Sequence, residues 1–253
     1  MSKGMSKRTT IIIQARISSS RLPGKVLKDL CGEPMLLRQI ERVRQCRMAD
    51  QIVVATSDEA SDDPIADLCA KAQIACFRGS LGNVLSRYHG AAVAFGPTEH
   101  VVRLTADCPL ADPDVIDACI ALHLANGADY TSNKLGSTNQ LGPTYPVGLD
   151  VEVMTFEGLD RVHRVASDPY DLEHVTPHFY RNPSLFTLMP LRHLTDLSKL
   201  RWTVDYPADL EFVRAVYAKL FSKERVFRWG EVLRLVQANP DIAAINAEHA
   251  VGG

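Results

Sequence analysis

Residues 14–25, QARISSSRLPGK, set Arg16, Arg21 and Lys25 around Ser18 and two further serines, with a Pro-Gly pair before the lysine. Those residue types suit a phosphate. Successive backbone N–H groups in a Gly/Ser-rich turn form a concave anion site, and the three cations add charge. A Walker A loop needs G-x-x-x-x-G-K-[ST]; here only PGKV is present, so the loop is not a P-loop. A solvated surface loop has the same composition. Two carboxylates offer a second kind of chemistry. Asp107 follows the apolar run HVVRLT, and Asp205 follows RWTV just before a Pro-initiated segment. Each could serve as a loop cap. Alternatively the pair could share one Mg²⁺, which binds through one or two carboxylates while phosphate oxygens and water complete its shell. Asp209 is expected to serve the first turn of the following helix.

His174 and His178 have the i, i+4 spacing of two metal ligands in HVTPH. Pro177 argues against a regular helix between them, and no H-E-x-x-H motif is present. A hydrogen-bonding His174 and a structural His178 are the expectation.

The elements that must position these residues alternate. Strand-like runs are expected at 11–14, 51–57, 74–79 and 100–110. Helical spacing follows at 34–46 (Leu36, Ile40 and Val43 on one face), 62–71, 83–96 and 112–127. Asp112 with Pro113 is a cap followed by a first-turn proline. This alternation predicts an α/β domain with a mainly parallel sheet, whose ligands sit beyond the carboxyl ends of the strands. Residues 14–25, 56–58 and 105–107, the last opening with Thr105, all fall there. Residues 129–192 break the rhythm with a long polar Gly/Pro loop, then a short strand at LDVEVM, a helix at FEGLDRVHRVA and a strand-like run at LFTLMPL, and read as an excursion from the sheet, a lid or a dimerisation arm. Strand, loop and helix resume at LRWTVDYPADLEF, and a helical tail with a break at Pro240 follows. The expected division is 9–128 with 193–249 as the α/β domain, 129–192 as an inserted element and 1–8 as a disordered tail. The apolar positions of LDVEVMTFEGL suggest a face that one subunit leaves uncovered, and hence a two-fold dimer.

Composition narrows the function class. A formal net charge of −2 over 253 residues argues against bulk electrostatic binding of nucleic acid. No apolar run reaches the roughly 18–20 residues of a membrane span, and the one after the basic start is too short for a signal-peptide core. Six scattered cysteines without a C-x-x-C pair read as reduced thiols of a cytoplasmic protein.

Five stretches, in order, carry a resemblance: IIIQARISSSRLPGKVLKDLCGEPML, VVRLTADCPLADPDVID, YPVGLDVEVM, EHVTPHFY and LRWTVDYPADLEFV. The first resembles the amino-terminal signature of the cytidylyltransferases that make CMP-activated acid sugars, among them the CMP-KDO and CMP-sialic acid synthetases. The others look more particularly like the branch typified by the spore coat polysaccharide biosynthesis protein F. The resemblance implies a Rossmann-like nucleotidyltransferase fold with an inserted dimerisation and substrate element. It also implies CTP as donor and Mg²⁺ as cofactor. Arg16 and Lys25 would hold the triphosphate, Asp107 and Asp205 the metal, and Gln14 and Ala15 would lie beside the base. Glu152 and His174 would face the acceptor sugar. Val147 and Leu172 depart from the pattern at positions that bear on the sugar. A non-sugar acceptor, such as a phosphonate or phosphorylated alcohol, and an idle nucleotide- or glycan-binding relative are the alternatives. A transferase consuming activated sugars would show D-x-D, whereas Asp107 is followed by Cys108-Pro109.

Overall fold

The computed structural model describes residues 8–136 and 142–249; apart from Arg8, the tail expected at 1–8 lies outside the described residues. Nine strands form in chain order: β1 Thr9–Gln14, β2 Asp29–Leu30, β3 Glu33–Pro34, β4 Gln51–Ser57, β5 Ala75–Gly79, β6 His100–Thr105, β7 Tyr130–Ser132, β8 Glu152–Thr155 and β9 Leu188–Pro190. The helices are α1 Met35–Val43, α2 Asp63–Lys71, α3 Val84–Ala94, α4 Pro113–Asn126, α5 Phe156–Val165, α6 Pro169–His174, α7 Pro177–Arg181, α8 Pro207–Leu220, α9 Trp229–Ala238 and α10 Pro240–Ala244.

Seven strands make one sheet in the order β5-β4-β1-β6-β8-β7-β9, while β2 and β3 pair separately. The chain leaves β1 for β4 on one side and later returns to β6 on the other side, all four strands from β5 to β6 being parallel. The crevice at such a switch point lies between the carboxyl ends of β1 and β6. That is where the basic loop and Asp107 begin. Central strands covered on both faces must be apolar on both, which is why β1 is a continuous β-branched run instead of an alternating one. Ile11 and Ile13 enter one core with Val102, Leu104 and Val153. Ile12 enters the other with Val101, Met154 and Phe179. Because side chains alternate across a strand, Arg103 and Glu152 share the face of Val101 and Met154.

Two expectations change. Residues 129–192 do not leave the sheet: β8 pairs antiparallel with β6, β7 with β8, and β9 runs parallel to β7. β8 and β9 overlap the strand-like runs LDVEVM and LFTLMPL, but so short a run does not show which strand it pairs with. The apolar positions of LDVEVMTFEGL are also covered within this one chain, since Leu149, Val151, Val153, Met154 and Leu159 are all buried. They fill the two cores, so this segment does not supply the uncovered face expected of it. Residues 200–204 form none of these strands; an isolated parallel bridge joins Arg201 to Val147. The segment bonds two separate loops, through Trp202 N–H to Val147 O (2.7 Å) and Val204 N–H to Asp107 O (2.8 Å).

Candidate active site

The basic loop is tied down at both ends. Asp62, at the start of α2, accepts the Ile17 N–H at 2.7 Å and the Ser57 hydroxyl at 2.5 Å, fixing the loop against the end of β4. Gly24, at φ +67°, takes a left-handed turn with no Cβ to obstruct it, and the chain re-enters the fold at Lys25. A cavity of about 230 Å³ opens beneath the loop, lined by Gln14, Arg16, Ser19, Arg21, Lys25 and Asp107 among others.

Lys25 is buried, and its ammonium makes three contacts: Asp107 Oδ2 at 3.2 Å, Asp205 Oδ1 at 2.9 Å and Val204 O at 2.7 Å. Burial works against this charge, yet Asp107 and Asp205 outweigh it and hold the lysine above its ordinary pKa. Burial likewise opposes the Asp205 carboxylate, and Lys25 and Arg201 overcome it, so its pKa lies below the usual range. Arg201 donates to Asp205 at 2.9 Å and to both oxygens of Asp209 at 3.0 Å, while Arg21 reaches Asp205 at 3.2 Å. Asp209 also accepts the Tyr206 N–H at 2.9 Å, the first-turn role expected of it. The 201–205 segment comes this close because Gly148, at φ +104°, has no side chain. A Cβ there would stand 2.4 Å from Thr203 N.

A second cavity, of about 400 Å³, adjoins the first and shares Arg103 and His174 with it. Tyr130, Tyr170, Tyr180, Thr176, Lys134 and Glu152 complete most of its lining. Glu152 stands opposite Arg103 in the β6–β8 register. One of its oxygens takes Arg103 Nη1; the other accepts the Tyr130 and Thr176 hydroxyls, each at 2.6 Å. Burial pushes this carboxyl upward, but Arg103, Lys134 and the two hydroxyls prevail and leave its pKa below the ordinary value.

The sequence-predicted residues divide accordingly. Gln14, Arg16, Arg21, Lys25, Asp107 and Asp205 line the first cavity, and His174 lines both. Ser18 is exposed and does not line the first cavity; Ser19 and Ser20 do. Ala15 is buried, its N–H bonded to Ala55 O, and the Thr105 carbonyl accepts from Gln39. Glu152 has both oxygens engaged, so it is a frame for its neighbours. His174 and His178 fall on different helices, broken at Val175 (φ +71°), and His178 bonds Asp171 at 3.3 Å. Sequence reasoning missed Arg103, Lys134, Arg201 and the tether at Asp62. The signal for Arg103 was present: a lone charge inside an apolar strand.

Residues 10–216 match the cytidylyltransferase family. The chain is similar in structure to a cytidylyltransferase from Leptospira borgpetersenii serovar Hardjo-bovis, with a TM-score of 0.86, 30% identity and coverage of 93% of this chain and 96% of that one. It is 33% identical to the spore coat polysaccharide biosynthesis protein SpsF of Bacillus subtilis, over 92% of this chain and 95% of that protein. A shorter match, 35% identical over 45% of this chain and 46% of the relative, joins it to a 3-deoxy-manno-octulosonate cytidylyltransferase of Anaeromyxobacter. The chain belongs to the cytidylyltransferase family and is a CTP-dependent nucleotidyltransferase with the α/β fold of that family.

Proposed function

We propose that this cytidylyltransferase moves CMP from CTP onto an acidic sugar of the KDO or nonulosonic-acid kind, for surface polysaccharide synthesis. One observation carries the reading: the loop cavity and the tyrosine-lined cavity meet at Arg103 and His174. A triphosphate in the first and a polyhydroxylated acceptor in the second would bring the reacting atoms together at that junction. The acceptor hydroxyl oxygen bonds the α-phosphorus, the bond from the α-phosphorus to the bridging oxygen breaks, and pyrophosphate departs. The hydroxyl proton passes to water. The protein's task is alignment and stabilisation of phosphate charge, for which Arg16 and Arg21 are placed at the cavity wall. The names of the 3-deoxy-manno-octulosonate and spore coat polysaccharide relatives support the acidic-sugar class.

The donor set fits Mg²⁺. Asp107 and Asp205 already converge on one cation, the Lys25 ammonium, and among the described residues the hydrogen-bond partner of Asp107 Oδ1 is the Cys108 thiol at 3.6 Å. Among the described residues no third protein ligand joins them, which suits an ion that retains water and phosphate ligands. Bound there, Mg²⁺ would neutralise charge on the phosphates. Lys25 then acts by holding the two carboxylates together as much as by touching phosphate.

The six cysteines are free thiols, consistent with a reducing cytoplasm. Among the described residues no helix is long and apolar enough to cross a membrane. We further infer a two-fold homodimer formed largely by residues 130–190, supported by the exposed Val165 and Leu185. Light scattering should give twice the chain mass, and a monomer at all working concentrations would rule the dimer out. Pyrophosphate release from CTP, assayed with a panel of acid sugars, phosphonates and phosphorylated alcohols, tests the acceptor class. Release with acid sugars alone is expected, and release only with the other acceptors would overturn it.

A further inference from the structure

Arg103 is the most unusual residue of the junction. It sits in an otherwise apolar stretch of β6, and only 12% of its side chain is exposed. Among the described residues, the acceptor it donates to is Glu152, through Nη1. Its Nε–H is buried without a partner, and Nη2 makes no hydrogen bond to a described residue. The Nε and Nη2 N–H bonds of a guanidinium run parallel, and that edge matches the two oxygens of a carboxylate. Glu152 therefore anchors one end of the fork and leaves the matching edge unused. Tyr130 and Thr176 lock Glu152 in turn, so the fork is held by a chain of contacts spanning three elements.

The place of this edge matters as much as its chemistry. Arg103 lines both cavities. In an acid sugar whose carboxylate is adjacent to the reacting hydroxyl, attack brings two anions, the carboxylate and the α-phosphate, close together. A cation between them relieves a repulsion that is severe in a site with little water. Lys134 is the other cation of the acceptor cavity, but it is half exposed, is paired with Asp150 at 3.3 Å and does not line the nucleotide cavity.

We propose that Arg103 is the specificity-determining residue for an acidic acceptor, its Nε–Nη2 edge taking the acceptor carboxylate where the two cavities meet. This rests on the acidic-sugar reading above. The test compares kcat/KM for KDO, N-acetylneuraminate, legionaminate and pseudaminate with kcat/KM for the C1 carboxamide of each. The wild-type chain should favour the acid of its substrate over the amide by about 10²-fold or more, because the amide leaves the fork mismatched. In Arg103→Met that ratio should fall to within about tenfold of unity, with most of the loss in acceptor KM, and Arg103→Lys should fall between. Removing Arg103 alone strands the buried Glu152, so Arg103→Met combined with Glu152→Gln serves as a folding-competent control, verified by thermal melt. A merely structural role would lower acid and amide rates together and leave the ratio intact. An acid-to-amide ratio that persists in the folded double variant overturns this inference and leaves the acidic-sugar reading standing. A wild-type chain that uses none of the four acids overturns both.

Discussion

At the loop end of the molecule, Lys25, Arg21 and Arg201 surround Asp107, Asp205 and Asp209, while Arg16, Ser19 and Ser20 remain at the cavity wall with capacity for a ligand. At the acceptor end, one buried carboxylate, Glu152, is fully consumed by Arg103, Tyr130 and Thr176. The first end joins buried charges, Lys25 and Asp209 among them, to the more exposed Arg16 and Arg21. The second is a stiff frame that presents one guanidinium edge. On the function proposed above, the contrast follows from what each end would hold. A triphosphate brings its own charge and is gripped by many donors. A sugar is mostly neutral and must be oriented through a single charged group, so that group has to be immobile.

The largest effects should separate the two ends by type. Asp107→Asn should lower turnover with CTP and acceptor by about 10²-fold or more at saturating Mg²⁺, with the thermal melt unchanged. Asp205→Asn should match it in rate. It should also cost stability, because Arg21, Lys25 and Arg201 all pair with that carboxylate. Lys25→Ala should cost on the order of 10²-fold in kcat/KM, since the two aspartates then lose the cation that holds them together. Normal turnover by Asp107→Asn would reduce that residue to a loop cap. At the frame end the expected loss is in folding. Tyr130→Phe removes a hydrogen bond to a buried carboxylate and should cost about 1.5–3 kcal/mol by chemical denaturation.

A pH dependence should mark both ends, since the Asp205 and Glu152 carboxyls both lie below their ordinary pKa in the folded state. The Glu152 pKa is lower in the folded state than its ordinary value, so this group's contribution to stability is fully present above the unfolded carboxyl pKa. It is lost as pH falls through the folded pKa. Melting temperature should therefore drop on acidification below roughly pH 4.5, and Glu152→Gln should flatten that part of the curve. The smallest effect is expected at Ser19→Ala, about threefold or less in kcat/KM, because the backbone N–H groups of the loop stay in place. A large loss there would mean that the loop recognises something through hydroxyls rather than holding phosphate.

The same contrast explains what the sequence made legible. β1, β4, β5, β6 and the helices between them announce themselves through apolar runs and caps. Asp112 accepts a backbone N–H of the first turn, as its cap reading expects, and Asn83, where the helix at 83–96 opens, does the same. The loop cavity was legible because its residues lie at strand ends in local motifs. Arg103 was passed over, since its meaning appears only when β8 pairs antiparallel with β6 and sets Glu152 opposite it. The roles of Glu152 and of residues 129–192 were obscured for the same reason: pairing across some fifty residues leaves no local signature. Asp62 read as a helix start, while its main task is a tether 45 residues back to Ile17.

If the two cavities form one reaction centre for an acid-sugar acceptor, phosphorus NMR of the protein with CTP, Mg²⁺ and each of the four acid sugars in turn should register the reaction. With at least one of them the triphosphate signals should give way to equal amounts of pyrophosphate and a CMP–sugar phosphodiester. Intact CTP with every acid sugar, alongside conversion of a phosphorylated alcohol or phosphonate, would contradict that reading.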